Sequence, residues 1–246
     1  MEEKSTLYYD DPGFSYPAFW HGREYEHLAE LMALRTLLGA RRFMAAVDIG
    51  GGFGRLATFL SNYARAVTLI EPSGVQRSLA MRLAASNIKI LKGSASHTGL
   101  PEASCDLAVM VRVMHHIPSP KESIAEVRRI LKPGGLFVLE FANSQHAKSR
   151  LRRGMKLEHA SFMPVEVNGT NENEVPFVNH HPQAMYSTLI HQGFVIEQIL
   201  SVSNVRSPLL KRLLPLRILV WIEALTQRLL SHLHFGPSIF VLTRKP

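Results

Sequence analysis

The chain has 246 residues, 46% of them hydrophobic, and carries 28 Lys and Arg against 20 Asp and Glu, a formal charge of +8. That length builds one core without requiring two, and 16 Gly with 14 Pro is ordinary usage that argues against disorder. One cysteine, Cys105, excludes an internal disulfide and a cysteine-rich zinc site. With no basic-then-apolar leader at Met1-Glu2-Glu3-Lys4-Ser5, a cytoplasmic, reducing setting is expected.

Residues 1–24 are irregular and aromatic, with Tyr8, Tyr9, Phe14, Tyr16, Phe19 and Trp20 broken by Asp-Pro-Gly at 11–13 and by Pro17. They read as an arm laid across the domain, or as an ordered terminus packed on its surface; Trp20, His21, Arg23 and Tyr25 are its candidate contact residues. The spacing predicts a helix over Glu24 to Leu38, with Tyr25, Leu28, Leu31, Met32 and Leu38 inward, ended by Gly39. Ala45 to Ile49 is a short apolar strand that runs into Gly50, Gly52 and Gly54, and a helix with Leu56, Phe59, Leu60 and Tyr63 on one face follows. Strand, glycine turn and helix make a nucleotide-binding corner: glycine permits positive φ, and the helix points free N–H groups at the ligand. The dinucleotide fingerprint would place its third glycine at position 55, which is Arg.

A second strand over residues 66–70 ends in Glu71. In doubly wound folds an acid at that point accepts hydrogen bonds from ribose hydroxyls. Pro72 and Ser73 open a helix over Val75 to Ser86, and Ile88 to Leu91 is a third strand. Gly93-Ser94-Ala95 follows. Asp106 to Arg112 is a fourth strand, apolar on both faces as a central parallel strand is. Ligands in open α/β sheets bind beyond the strand C-termini, so Arg112 to Ile117, within Val113-Met114-His115-His116-Ile117-Pro118, lines a site. His115 and His116 either act as general base, having a pKa near working pH, or hold the loop. Adjacent residues seldom converge on one ion, so no metal is expected. Pro120 to Ile130 is a helix, and Leu131-Lys132-Pro133-Gly134-Gly135 is a turn into a fifth strand ending at Phe141. Gln145 to Lys156 is basic through Lys148, Arg150, Arg152, Arg153 and Lys156; residues 162–176 are irregular, with turn signals at Asn168-Gly169 and 171–174. His180 and His181 read as caps of a helix begun by Pro182, which ends at Gln192-Gly193-Phe194 and leads into a sixth strand, Phe194 to Ser201. Leu209 to Leu233 is leucine-rich and basic, with Trp221 and a break at Pro215, and Ser238 to Thr243 is the last strand. Arg217 and Glu223 interrupt its apolar runs, so it is no membrane span. Through Glu140 there are 16 Lys and Arg against 14 Asp and Glu; from Phe141 onward, 12 against 6. The basic final third fits an anionic partner or a solvated basic face.

The acid-x-G-x-G-x-G turn Asp48 to Gly54 resembles motif I of the class I S-adenosylmethionine (SAM)-dependent methyltransferases. Leu131 to Glu140 resembles that family's LKPGG turn and fifth strand, and Val113 to Pro118 the loop after its fourth. The likeness is to the methyltransferase-11/UbiE-like type over about residues 24–201, returning at the last strand. It implies an α/β fold: a Rossmann-like, seven-stranded, mostly parallel sheet with helices on both faces, the last strand inserted antiparallel, an N-terminal arm and helix, and an extra helical insertion before the last strand. It implies one domain over 1–246: arm and helix 1–40, SAM-binding core 45–141, substrate-side segment 142–180, and a C-terminal part 181–246 with the insertion at 208–234. SAM is the implied cofactor, held by Asp48, Gly50, Gly51 and Gly52 on the methionine half, Glu71 and Pro72 at the ribose, Ser94 and Ala95 at the adenine, and Arg112 beside the acceptor. The family usually has an acid where Ser94 stands.

The expected reaction is methyl transfer to a small or lipophilic acceptor at O or C, with His115 and His116 as candidate catalytic residues. An Asn/Asp-Pro-Pro-Tyr corner, typical of enzymes that methylate base or glutamine amines, is replaced by Arg112-Val113-Met114-His115. Two alternatives stay open: an RNA or protein methyltransferase, with nucleic acid the less favoured partner, and a non-catalytic SAM-binding partner protein. The 208–234 insertion suits a membrane surface, a greasy substrate, an extra helix packed on the domain or a dimer interface, so either a monomer or a homodimer is expected.

Overall fold

The computed structural model describes residues 9–11, 15–156, 162–167 and 177–246. Its frame is a seven-stranded sheet built from β1 (Phe43–Ile49), β2 (Ala64–Ile70), β3 (Ile88–Leu91), β4 (Cys105–Met110), β5 (Leu131–Ala142), β8 (Val195–Val202) and β9 (Ser238–Arg244). The order is β3-β2-β1-β4-β5-β9-β8. The first five pair in parallel, and β9 enters antiparallel between β5 and β8. The order reverses between β1 and β4, and such a reversal opens a crevice at the strand C-termini.

The helices cover both faces because the inner strands are apolar on both sides. In β4 every residue except Asp106 is buried. One face takes α2 (Glu24–Leu38) and α3 (Arg55–Leu60), with Leu34, Leu37 and Leu60 packed on Val67, Leu69 and Val109. The other takes α5 (Lys121–Ile130) and α7 (Pro182–His191), with Ile124, Val127 and Leu189 on Ala108, Phe137 and Val241. A short α1 (Tyr16–Phe19) precedes α2, and α4 (Gly74–Leu83) links β2 to β3. Ser73 caps α4 by accepting the Gln76 N–H at 3.1 Å.

Several local expectations change. α2 has the predicted ends and buries Tyr25 and Leu38 as expected, but the rest of its buried stripe is Ala29, Glu30, Ala33, Leu34 and Leu37. The small Ala29 and Ala33 bring the helix close to the sheet, which leaves Leu28, Leu31 and Met32 on its half-buried flanks. β4 stops at Met110 because Arg112 adopts φ 63°. The Lys-Pro-Gly-Gly turn lies within β5: Leu131 already pairs with Cys105, and the register slips between Cys105 and Leu107. Between β5 and α7 lie α6 (Ala147–Lys156) and an unanticipated hairpin of β6 (Val165–Val167) with β7 (Phe177–Asn179). Its expected turn signals at Asn168-Gly169 and 171–174 lie outside the described residues, as do Tyr8, Phe14 and the side chains of Arg152, Arg153 and Lys156. The insertion before β9 forms α8 (Pro208–Leu213) and α9 (Leu216–Leu229), divided at Pro215.

Candidate functional site

A cleft of about 590 Å³, open solvent at its mouth included, lies at the C-terminal ends of β1 and β4. Gly50 and Gly52 form its floor, Glu71, Pro72 and Gln76 one wall, and Arg112, Val113, His116 and Ile117 the other. Ala95, Tyr9 and Tyr16 complete the lining. The floor requires glycine. Gly50 has φ 67° and a Cβ there would lie 2.3 Å from Val113; Gly52 has φ 55° and a Cβ there would lie 3.1 Å from the Tyr16 ring.

Two acids stand at this floor. Glu71, 6% exposed, accepts the Gly52 N–H at 2.9 Å on Oε2 and the Ser73 N–H at 2.9 Å on Oε1. It fixes the glycine turn while keeping a lone pair on each oxygen for the cleft. Burial holds its pKa above the usual carboxylate range. Asp48, 1% exposed, lies one layer down, and its Oδ2 is buried with no hydrogen-bond partner among the described residues. A Cβ on Gly51 would stand 2.7 Å from that oxygen. Burial pushes the Asp48 carboxyl up to about 7, against the pull of Arg55. A buried carboxylate oxygen without a donor is costly.

The expected residues divide. Gly50, Gly52, Glu71, Pro72, Ala95, Arg112 and His116 line the cleft; Asp48 and Gly51 lie beneath its floor. Ser94 does not line it, and its hydroxyl sits 3.2 Å from that of Ser96. Of the histidines, His116 faces the cleft, with Nε2 3.0 Å from the Tyr9 hydroxyl; Nδ1 is buried without a hydrogen-bond partner among the described residues. Burial lowers its pKa to about 4, so the imidazole is neutral. His115 lies behind it, ring centroids 4.0 Å apart, outside the lining. Burial also holds His115 well below the ordinary histidine value.

Sequence reading missed a buried ion network beside the cleft. Glu30 takes Arg55 at 2.5 Å and Arg112 at 2.7 Å. Burial raises the pKa of Glu30, but Arg112 and Arg55 together override it and hold the carboxyl below its usual range. The Arg112 N–H donates to Glu140 at 2.8 Å, and Ser238 donates to the other Glu140 oxygen. Trp20 lies over the Arg55 guanidinium, 3.9 Å from ring centroid to carbon. The network locks α2, the glycine-turn helix and the ends of β4, β5 and β9, and holds Arg112 in its left-handed conformation. The available signals were an acid at a core position of α2 and another within the apolar run of β5. Gln76 carried no such signal.

The N-terminal segment is fastened over the cleft. Asp10 accepts the Ser73 hydroxyl at 2.5 Å and the Val75 N–H at 3.1 Å, and the Tyr9 and Tyr16 rings meet edge-on at 5.2 Å.

Residues 47–139 match the methyltransferase domain family, from the end of β1 through most of β5, including the glycine turn, Glu71 and the histidine loop. The chain carries a class I SAM-dependent methyltransferase domain. SAM is the cofactor of this domain. A ubiquinone/menaquinone biosynthesis C-methyltransferase UbiE of Rubrivivax gelatinosus is 30% identical over 97 residues, 39% of each chain. A demethylmenaquinone methyltransferase of Chlamydia trachomatis is 32% identical over 118 residues, 46% of this chain and 51% of that one. The chain thus spans about half or less of the length of these relatives. A SAM-dependent methyltransferase of Thermotoga maritima shares the methyltransferase fold with TM-score 0.65 and 18% identity over 94% of both chains.

Proposed function

We propose that the protein transfers a methyl group from SAM to a lipophilic, quinone-type acceptor, at a ring carbon or at oxygen. The observation that carries the cofactor assignment is the buried, unpartnered Asp48 oxygen under a glycine floor, within the segment that matches the methyltransferase domain. The residues fit the cofactor. Asp48 receives its ammonium, directly or through one water, and Gly50, Gly51 and Gly52 admit its backbone-sized tail. Glu71 accepts from the ribose hydroxyls. Pro72, Gln76 and Ala95 enclose the adenine, and Ser94, turned toward Ser96, contributes from the second layer. When bound, SAM supplies an electrophilic sulfonium methyl, and transfer leaves S-adenosylhomocysteine.

The chain's own work is positioning and exclusion of water. Arg112, held by Glu30 and Glu140, fixes the wall where acceptor meets cofactor. Tyr9 and Tyr16, from the N-terminal segment, cover the glycine floor and His116. His116, better placed than His115, takes the proton lost by the acceptor once the Tyr9 hydroxyl gives way; at a pKa of about 4 its basicity is low, and opening the cleft to solvent raises it. The quinone-type acceptor is supported by the UbiE and demethylmenaquinone relatives and by the apolar character of Val113 and Ile117 in the acceptor-side wall.

The test is incubation with SAM and a reduced, short-chain demethylmenaquinol, with mass spectrometry of the quinone. The expected result is a product heavier by one methylene together with an equal amount of S-adenosylhomocysteine, and at least a tenfold slower rate for His116→Ala. Tight SAM binding with no methylation of quinols or phenols would overturn the acceptor and leave the cofactor assignment standing.

A further inference from the structure

We propose that α8 and α9 form a docking face for an anionic lipid bilayer. The ordinary helix pattern is inverted in α9. Its buried positions, at a spacing of four, are Leu219, Glu223 and Gln227. Its solvent side carries Trp221, Leu225 and Leu229, and Leu209 and Leu213 of α8 and Leu233 just after α9 are exposed beside it in the chain; each of these six is more than half exposed. An apolar surface of this extent marks an interaction site rather than scattered exposure.

The inversion is held by polar bonds. Glu223, wholly buried, accepts the Ser203 N–H at 2.7 Å, the Asn204 N–H at 2.9 Å and the Tyr25 hydroxyl at 2.5 Å. Gln227 donates to the Ala29 carbonyl at 2.9 Å. Rotating α9 to hide its leucines would strip all of these partners, so the exposed face is fixed by the fold.

Charge selects the occupant. Residues 206–234 contain Arg206, Lys211, Arg212, Arg217 and Arg228, and their only acid is the buried Glu223. Lys211 is paired with Glu26; the four arginines are exposed around the leucines. A two-fold pairing of copies through this face would set these arginines against themselves. A bilayer with anionic headgroups accepts both parts at once: acyl chains take the leucines and Trp221, and headgroups take the arginines. Among the described residues no helix is long and apolar enough to cross a membrane, so the contact lies in the interface plane. Because α9 is fastened to α2, which holds Arg55 and Arg112 through Glu30, the docking face has a fixed relation to the cleft.

The experiment is flotation of the full chain with vesicles of phosphatidylcholine alone, or mixed with an equal amount of phosphatidylglycerol. Wild type is expected to bind the anionic vesicles at least tenfold more tightly, and to lose most of that binding in high salt. The triple variant Trp221→Ser, Leu225→Ser, Leu229→Ser and the pair Arg212→Glu, Arg217→Glu are each expected to lose it, with SAM affinity and thermal midpoint unchanged. Equal flotation of wild type and the triple variant would overturn the proposal. So would absence of flotation with a dimer in sedimentation that the triple variant dissolves, which would make the face a contact between copies.

Discussion

Asp48 is the residue on which the cofactor reading turns, and its environment gives it a pH signature. Its carboxyl titrates near 7 in the folded chain, above the ordinary 3.8. The folded state therefore holds more protons than the unfolded one between about 4 and 7, so through this group stability falls as pH rises across that window and is flat above it. A ligand ammonium needs the ionised carboxylate, so affinity for SAM should rise with pH up to about 7. It should fall again as the ligand's own amino group loses its proton, at about 7.7–8.0. Calorimetric titration across this range should trace that bell, and Asp48→Asn should weaken binding and erase the acid limb. An Asn variant with the same bell would place the titrating group elsewhere. The placing of Gly50, Gly52 and Glu71 at the cleft and of Asp48 buried beside it was legible in the sequence, because the ends of two neighbouring strands and a glycine turn fix it. Glu30, Arg112 and Glu140 were not legible as a network: Glu30 and Arg112 meet across 82 residues, and only the fold brings them together. That Ser94 stands off the cleft lining was not legible, because its neighbours showed where the loop runs and not which way the hydroxyl turns.

At the scale of elements, two carboxylates act as fasteners. Glu126 of α5 accepts the Thr98 N–H at 2.9 Å and its hydroxyl at 2.6 Å, and pairs with Arg129. This ties the loop that carries Ala95 to the helix. Arg129 first, with Thr98, lowers the Glu126 pKa to about 2, against burial. That contribution is complete above the ordinary 4.5 and is lost as pH falls through about 2. Glu126→Ala should cost about 2 kcal/mol near neutrality, and the gap from wild type in urea denaturation should close in acid. Glu223→Ala leaves two backbone donors and the Tyr25 hydroxyl unmet and should cost about 3 kcal/mol, whereas Trp221→Ser on the opposite side of α9 should stay within about 0.5 kcal/mol. Similar losses for the two would contradict the inverted packing of α9. The strands were legible because β1, β2, β4 and β5 are short apolar runs set off by glycine, proline or acids. The buried face of α2 was not, since Ala29 and Ala33 carry little hydrophobic signal and matter through their smallness. Three-residue strands such as β6 and β7 have no period to detect.

For the whole molecule, the sheet order follows from the chain's punctuation, and the crevice at the β1–β4 reversal follows from that order. The excess positive charge found in the final third of the sequence has a structural counterpart in the arginines around α8 and α9, while the two acids of that third whose side chains are described turn inward or pair: Glu223 is buried and Glu197 meets Arg244. The cleft and the lipid-facing helices are separate sites on one frame, and each stands or falls on its own. The most direct test of the central claim is calorimetric titration of SAM and S-adenosylhomocysteine into wild type, Asp48→Ala and Glu71→Ala. The account expects micromolar binding to wild type and at least a tenfold loss in each variant, about 1.4 kcal/mol or more. A folded wild type that binds neither compound, or variants that bind as wild type does, would contradict it.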